Sequence, residues 1–214
     1  MLLAAPALAA PGEDADVRRT QADCTVREVV GPADVPLTRD FSEALLERPD
    51  LCAFLARRRG LARYAARALS PGVWRGGDGA NTDGVVRLVE RAPTRRVYYA
   101  EGEHRARALP TLRAQAVVEM YLVGRPGPDG REFTRATLRV CVRAENPVVA
   151  RAAKALSSLV RRLVRRKLSR ALEVSVLVGR YARADPAGFA ADVAAFPDLT
   201  REQAAALLAR LRAP

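Results

Sequence analysis

Residues 146–185 read NPVVARAAKALSSLVRRLVRRKLSRALEVSVLVGRYARAD, and the spacing of their apolar side chains decides the fold. Val148/Val149, Ala152/Ala153, Leu156, Leu159/Val160, Leu163/Val164, Leu168, Ala171/Leu172 and Val176 recur at steps of three and four. That period places them on one stripe of an amphipathic helix. Asn146 suits the N-cap and Pro147 the first helical position. Asp185-Pro186 marks the far end, because a residue before proline is pushed out of the helical region. A helix of that length runs about 55 Å, enough to cross a small domain. The run Val174–Val178 (VSVLV) is β-branched and reads equally well as a strand, so the periodicity alone carries the helix to about Ala171.

The 214 residues, 49% apolar and 28% charged, describe one globular domain with a proper core. The formal net charge is +12, which raises nucleic acid, anionic membranes or acidic ligands as partners. Lys154 and Lys167 are the only lysines, so an arginine- and alanine-rich compositional bias competes with a functional cause. The charge is also uneven: ten Arg or Lys residues and a single acid, Glu173, lie between Arg151 and Arg183. At the start, Met1–Ala10 (MLLAAPALAA) carries an A-x-A pattern at Ala7–Ala9 and precedes the acidic Pro11–Asp16. This reads as the end of a secretory signal peptide lacking its basic region, so export to the periplasm or outside is expected. Residues 1–16 are then leader and linker, 17–186 the domain, and 187–214 a short helical extension. Cys24 and Cys52 can pair in an exported protein, leaving Cys141 in a strand. With no CxxC, and with the single histidine, His104, far from the cysteines, neither a metal nor a cofactor is expected.

Ahead of the long helix, Cys24–Val30 alternates as a first strand that Gly31-Pro32 ends. Phe41–Arg59 reads as two short helices broken at Pro49. Leu61–Leu69 is ambiguous, and Trp74–Gly84 (WRGGDGANTDG) is a glycine- and Asp/Asn-rich loop. That loop matches neither a phosphate loop nor an EF-hand. Val85–Arg91, Arg96–His104, Thr111–Val123 and Phe133–Arg143 are strands joined by short turns, an antiparallel meander. Ala187–Ala195 and Thr200–Arg212 read as short helices, the second opened by a Thr200/Gln203 capping box. Along Thr111–Val123, Leu112, Ala114, Ala116, Val118, Met120 and Leu122 share one face, and Ala136, Leu138, Val140 and Val142 repeat it on the next strand. The opposite faces, with Arg113, Gln115, Val117, Glu119, Tyr121, Arg139, Cys141 and Arg143, are expected to meet water. On Arg96–His104 the set Tyr98, Ala100, Gly102 and His104 faces inward, leaving Glu101 and Glu103 outside. Several inward residues are small, so a helix laid over them leaves a hollow unless Met120, Trp74, Tyr98 and helix leucines fill it.

The segments CTVREVV, FSEALLERPDLCAFLARRR, GVVRLVER, RRVYYAEGEH, TLRAQAVVEMYLV, FTRATLRVCVR and the helix from Pro147 follow one another as in a known pattern. Over Cys24–Asp185 the chain resembles the START-like superfamily, also called SRPBCC or Bet v 1-like. The resemblance implies an α+β helix-grip fold, an antiparallel sheet wrapped around a long C-terminal helix, with an apolar cavity between them. Two short helices follow strand 1, and short helices extend the C-terminus. The family often holds lipids, sterols, polyketides or hydrophobic hormones, so the expected ligand is a hydrophobic small molecule or lipid. It would touch Tyr98, Ala100, His104, Ala114, Ala116 and Met120. Ala136 and Leu138 on the sheet, and Leu156, Val160 and Leu163 on the helix, complete the expected lining. Fewer strands are legible here than the family's six or seven, unless Leu61–Leu69 or Val73–Arg75 supplies another.

No GxSxG or Cys/His pairing is present, so a non-catalytic carrier is expected. The rivals are a cyclase- or hydrolase-like enzyme of the same fold using His104, and a protein-interaction module with a filled core. Arg161, Arg162, Arg165, Arg166, Lys167 and Arg170 form a basic surface suited to anionic lipid headgroups. Nucleic acid is disfavoured, since only Tyr181 on this helix offers a stacking ring. A monomer is expected.

Overall fold

The computed structural model describes residues 11–105, 111–127, 130–145 and 157–212. Its elements are α1 (Pro11–Ala22), β1 (Val26–Val35), α2 (Arg39–Leu46), α3 (Pro49–Arg58), β2 (Ala65–Ser70), β3 (Val73–Gly77) and β4 (Thr82–Ala92). Then follow β5 (Arg95–His104), β6 (Leu112–Pro126), β7 (Glu132–Ala144), α4 (Ser157–Ala184), α5 (Pro186–Ala194) and α6 (Arg201–Arg212). The strands make one antiparallel seven-stranded sheet in the order β1-β7-β6-β5-β4-β3-β2. The fold is therefore α+β, with a 28-residue helix after the last described strand.

Local chemistry explains most boundaries. Thr38 caps α2 by accepting the Phe41 N–H at 3.3 Å, and Pro49 opens α3. Asp185 caps α5 through the Gly188 N–H at 2.8 Å. Thr200 and Gln203 close a reciprocal capping box at 3.0 and 3.2 Å. The expected start of the long helix, including Leu156, lies outside the described residues. Val174–Val178 is helical, not strand: Val174 and Val178 are buried, and tertiary burial overrides β-branched preference.

Four expectations need correction. Strand β1 does not stop at Gly31-Pro32; a register shift between Val30 and Ala33 absorbs the pair, with Gly31 at φ 103. Ala65–Ser70 and Val73–Gly77 are both strands, which brings the sheet to seven, and Trp74 is buried in β3 instead of lying in a loop. Pro11–Asp16 is not linker but the first half of α1; Met1–Ala10 lies outside the described residues. Finally, Cys24 bonds to Cys141, 5.6 Å away between Cα atoms, and Cys52 is the free thiol. The two bonded cysteines sit on or beside neighbouring strands β1 and β7. Cys52 is in α3, where its thiol donates to the Leu45 carbonyl at 3.3 Å and desolvation pushes it up to about 12.

Both faces of the sheet are covered in part. The inward face joins Val30, Leu122, Ala136, Leu138 and Val140 to Phe41, Leu45, Leu51 and Leu55 of α2 and α3. Leu172, Val174 and Val178 of α4, with Phe189 and Val193 of α5, belong to the same core. The opposite face, expected to meet water, instead buries Val97, Tyr99 and Val117, with Val17 of α1 and Val89 packed against them. Gln115 and Cys141 are buried on that face too. Thr20 of α1, itself fully buried, donates to Gln115 Oε1 at 3.5 Å, and Gln21 donates to Glu119 at 3.4 Å. Glu101 stays exposed as expected. Tyr99→Ala should therefore cost about 3 kcal/mol in equilibrium urea unfolding, the penalty of emptying a buried aromatic site. A loss under about 0.5 kcal/mol, typical of an exposed side chain, would mean that this face is open.

Candidate functional site

The sheet's inward face has a low-relief centre. Cross-strand pairing sets Ala100 beside Ala116 and Ala116 beside Val142, while Gly102 meets Ala114 and Ala114 meets Ala144. Two successive rows thus carry little side-chain volume. Ala100, Ala114, Ala116 and Met120 are only half-buried, whereas Ala136 and Leu138 on β7 are buried in the core. Tyr98 is also buried, and its hydroxyl donates to the Leu46 carbonyl at 3.1 Å, tying the sheet to α2.

Helix α4 runs along β1 and reaches toward the β3–β4 turn. On one flank Arg161 Nε lies 4.0 Å from Glu28 Oε1 of β1, and Gly179 admits Pro36 to 3.0 Å from where a Cβ would stand. On the other flank Lys167 reaches the β3–β4 turn, and Tyr181 donates to Asp192 of α5 at 2.8 Å. Successive helical residues rotate by about 100°, so Val164, Ala171, Ser175, Val178 and Ala182 fall between these flanks, toward the sheet. Val178 and Ala182 are buried, yet Ala171 and Ser175 are exposed. This side of α4 is closed at its C-terminal end, while at its middle Ala171 and Ser175 are exposed between buried Leu172 and Val174 and half-buried Leu168. Val160 and Leu163, at the helix's first described turns, are half-buried. The Ser175 hydroxyl donates to the Ala171 carbonyl at 3.1 Å, so it presents little unsatisfied polarity to the opening.

One end of the cleft is polar. Asp78 Oδ1, in the β3–β4 turn, accepts the N–H groups of Ala80, Asn81 and Thr82 at 3.0, 3.0 and 3.1 Å. Lys167 Nζ donates to Asp78 Oδ2, to Asn81 Oδ1 at 3.1 Å and to Thr82 Oγ1 at 3.0 Å. Thr82 Oγ1 in turn lies 2.9 Å from His104 Nδ1. Burial would raise the Asp78 carboxyl, but Lys167 and the three backbone donors hold it well below the usual carboxylate range. Burial, then the positive charges of Lys167 and Arg166, lower the His104 imidazole from its ordinary value against the pull of Asp78.

The basic surface divides. Arg162, Arg165 and Arg166 are exposed; Arg161 leans toward Glu28; Arg170 donates to the Leu61 carbonyl and pairs with Glu173, both at 2.7 Å. Lys167, half-buried, turns toward Asp78. Sequence reasoning missed Asp78, Asn81 and Thr82 as partners of the cleft, and missed Ala171 and Ser175 as its ceiling. The D-G-A-N-T run was legible as an Asx-type turn, but its lysine is 89 residues away. Two hollows lie away from these residues. One of about 720 Å³ is bounded by Pro36, Leu37, Ala182, Ala190 and Leu208. The other, about 320 Å³, is bounded by Arg75, Asp83, Glu101, Glu103 and Arg113. Neither contains an expected ligand-contact residue. Among the described residues no acidic, histidine or cysteine cluster could hold a metal.

No protein-family model matches this chain, and no curated protein matches it. Among solved structures it is similar to a conserved protein from Geobacillus kaustophilus, at 12% identity and a TM-score of 0.46, over 73% of this chain and 95% of that one.

Because His104 is the single histidine, its ring protons can be followed by NMR without ambiguity. Its midpoint should fall below the ordinary value of about 6.5, and Lys167→Met should raise it by removing a neighbouring cation. A midpoint at 6.5 that ignores Lys167→Met would separate His104 from this cluster.

Proposed function

We propose that this protein binds a hydrophobic molecule, most simply a lipid, between α4 and the sheet and carries it to or from a membrane. The observation that carries this reading is the exposure of Ala171 and Ser175 between buried residues of α4, together with half-buried alanines and glycine on the inward face of the sheet. Interiors are normally packed to crystal-like density. An apolar opening of this kind suits a ligand with an apolar body.

A resemblance of element order to the START-like superfamily supports the reading. A first strand, two short helices, an antiparallel meander and a long C-terminal helix succeed one another here as in that family's helix-grip pattern. The step from fold to cargo is analogy. The exposed Arg162, Arg165 and Arg166 suit an anionic membrane surface, each cation near the headgroups contributing about 1 kcal/mol. Export accords with the Cys24–Cys141 bond, since disulfides persist in oxidising compartments. Among the described residues no helix is long and apolar enough to cross a membrane.

Two substitutions test the cleft from opposite walls. Ala116→Trp on β6 and Ala171→Trp on α4 should each abolish uptake of a lipid from liposomes, measured by co-purification after gel filtration. Circular dichroism should show both variants folded. Wild-type uptake by both folded variants would place the ligand elsewhere or remove the carrier reading.

A further inference from the structure

The hydrogen-bond directions at the polar end of the cleft restrict what the ligand's head can be. A lysine ammonium only donates, and Lys167 has acceptors for its three protons in Asp78, Asn81 and Thr82. Thr82 Oγ1 therefore accepts from Lys167, which leaves its own proton to donate. The acceptor within reach is His104 Nδ1 at 2.9 Å. An imidazole that accepts at Nδ1 carries its proton on Nε2. His104 shares the inward face with Gly102 and Ala100, is half-buried, and its Nε2 has no hydrogen-bond partner among the described residues. Among the described residues the Lys167–Thr82–His104 chain thus leaves one uncommitted N–H donor, on His104.

The charge balance is equally restrictive. Lys167 is matched by Asp78, whose two oxygens are both occupied by donors. A carboxylate head entering here would find the Lys167 ammonium committed to Asp78 and would lie near the Asp78 anion, with Arg166 as the remaining cation acting on His104. Burying a charge without a partner is costly, while a neutral oxygen needs only one donor.

We propose that the polar end of the cleft selects an uncharged hydrogen-bond acceptor, the carbonyl of an ester or ketone, on an otherwise apolar ligand. His104 Nε2–H is the donor, and the chain Lys167–Thr82–His104 fixes the tautomer. Thr82 and Lys167 are positioning residues; His104 touches the ligand. This inference rests on the cleft reading given above and deepens it.

The test is displacement of Nile red, a neutral apolar dye, from the full chain by methyl laurate, by tridecane and by laurate. Methyl laurate should compete about tenfold better than either of the others, the most that one net hydrogen bond supplies. In His104→Phe that preference should shrink to within about twofold with tridecane competition unchanged. His104→Gln, which keeps an N–H donor, should restore part of it. A merely structural role for His104 would alter all three competitors together, and that result would overturn the assignment. Equal competition by all three in the wild type would also overturn it, leaving the carrier reading intact. Strongest competition by laurate would overturn it in favour of an anionic head drawn by Arg166. If neither the dye nor any competitor binds, the cleft reading fails and this inference falls with it.

Discussion

Helix α4 is fastened at its flanks and at its C-terminal end, and at its middle Leu172 and Val174 are packed in the core while Ala171 and Ser175 stay exposed. Arg161 leans on β1, Lys167 is anchored in the β3–β4 turn, and Gly179 lets the backbone close on Pro36. Beyond these, Asp192 receives Arg58 and Arg59 at 2.6 Å each and the Tyr181 hydroxyl at 2.8 Å. Asp192 is 4% exposed. Several donors keep its carboxyl low against the opposing cost of burial, which makes α3, α4 and α5 a single clamped unit. A helix held this way can bridge an interior gap without collapsing into it. The rest of the account depends on that arrangement.

The outer layer complements the inner one. Because α1 covers Val97, Tyr99 and Val117, the sheet is supported from behind and need not bend to meet α4. The disulfide joins the chain just after α1 to β7, the strand next to the β1 edge of the sheet. A supported sheet and a flank-fastened helix leave the space between them as the adjustable part of the fold. Small residues in adjoining cross-strand rows then set the depth of that space. The polar cluster at its end also holds α4 to the sheet, so a ligand head seated there would touch the anchor of the helix itself. On the proposed function, cargo recognition and helix placement would share the same residues.

Much of this was legible in the sequence, for physical reasons that can be named. Alternation on β5, β6 and β7 separates the faces, and the small residues at Ala100, Gly102, Ala114 and Ala116 mark a stretch of low side-chain volume because volume is a local property. Pro49, Asp185 and the Thr200/Gln203 pair mark helix ends because capping is local too. What escaped the sequence was contact between distant segments. Alternation cannot say whether an outward face is wet, and Tyr99 lies under α1 from more than seventy residues upstream. Cysteine spacing did not reveal the partner of Cys24, since β1 and β7 meet only through the sheet order. Lys167 looked like one more charge on a basic surface, and only the folded chain shows Asp78 turning it inward.

The central claim is an interior opening that holds an apolar molecule. Native mass spectrometry of the protein purified from the cells that make it, followed by lipid extraction, tests it most directly. The account predicts a stoichiometric apolar adduct, released on denaturation and recovered in the organic phase. A clean unliganded mass, with no uptake after incubation with liposomes, would contradict it.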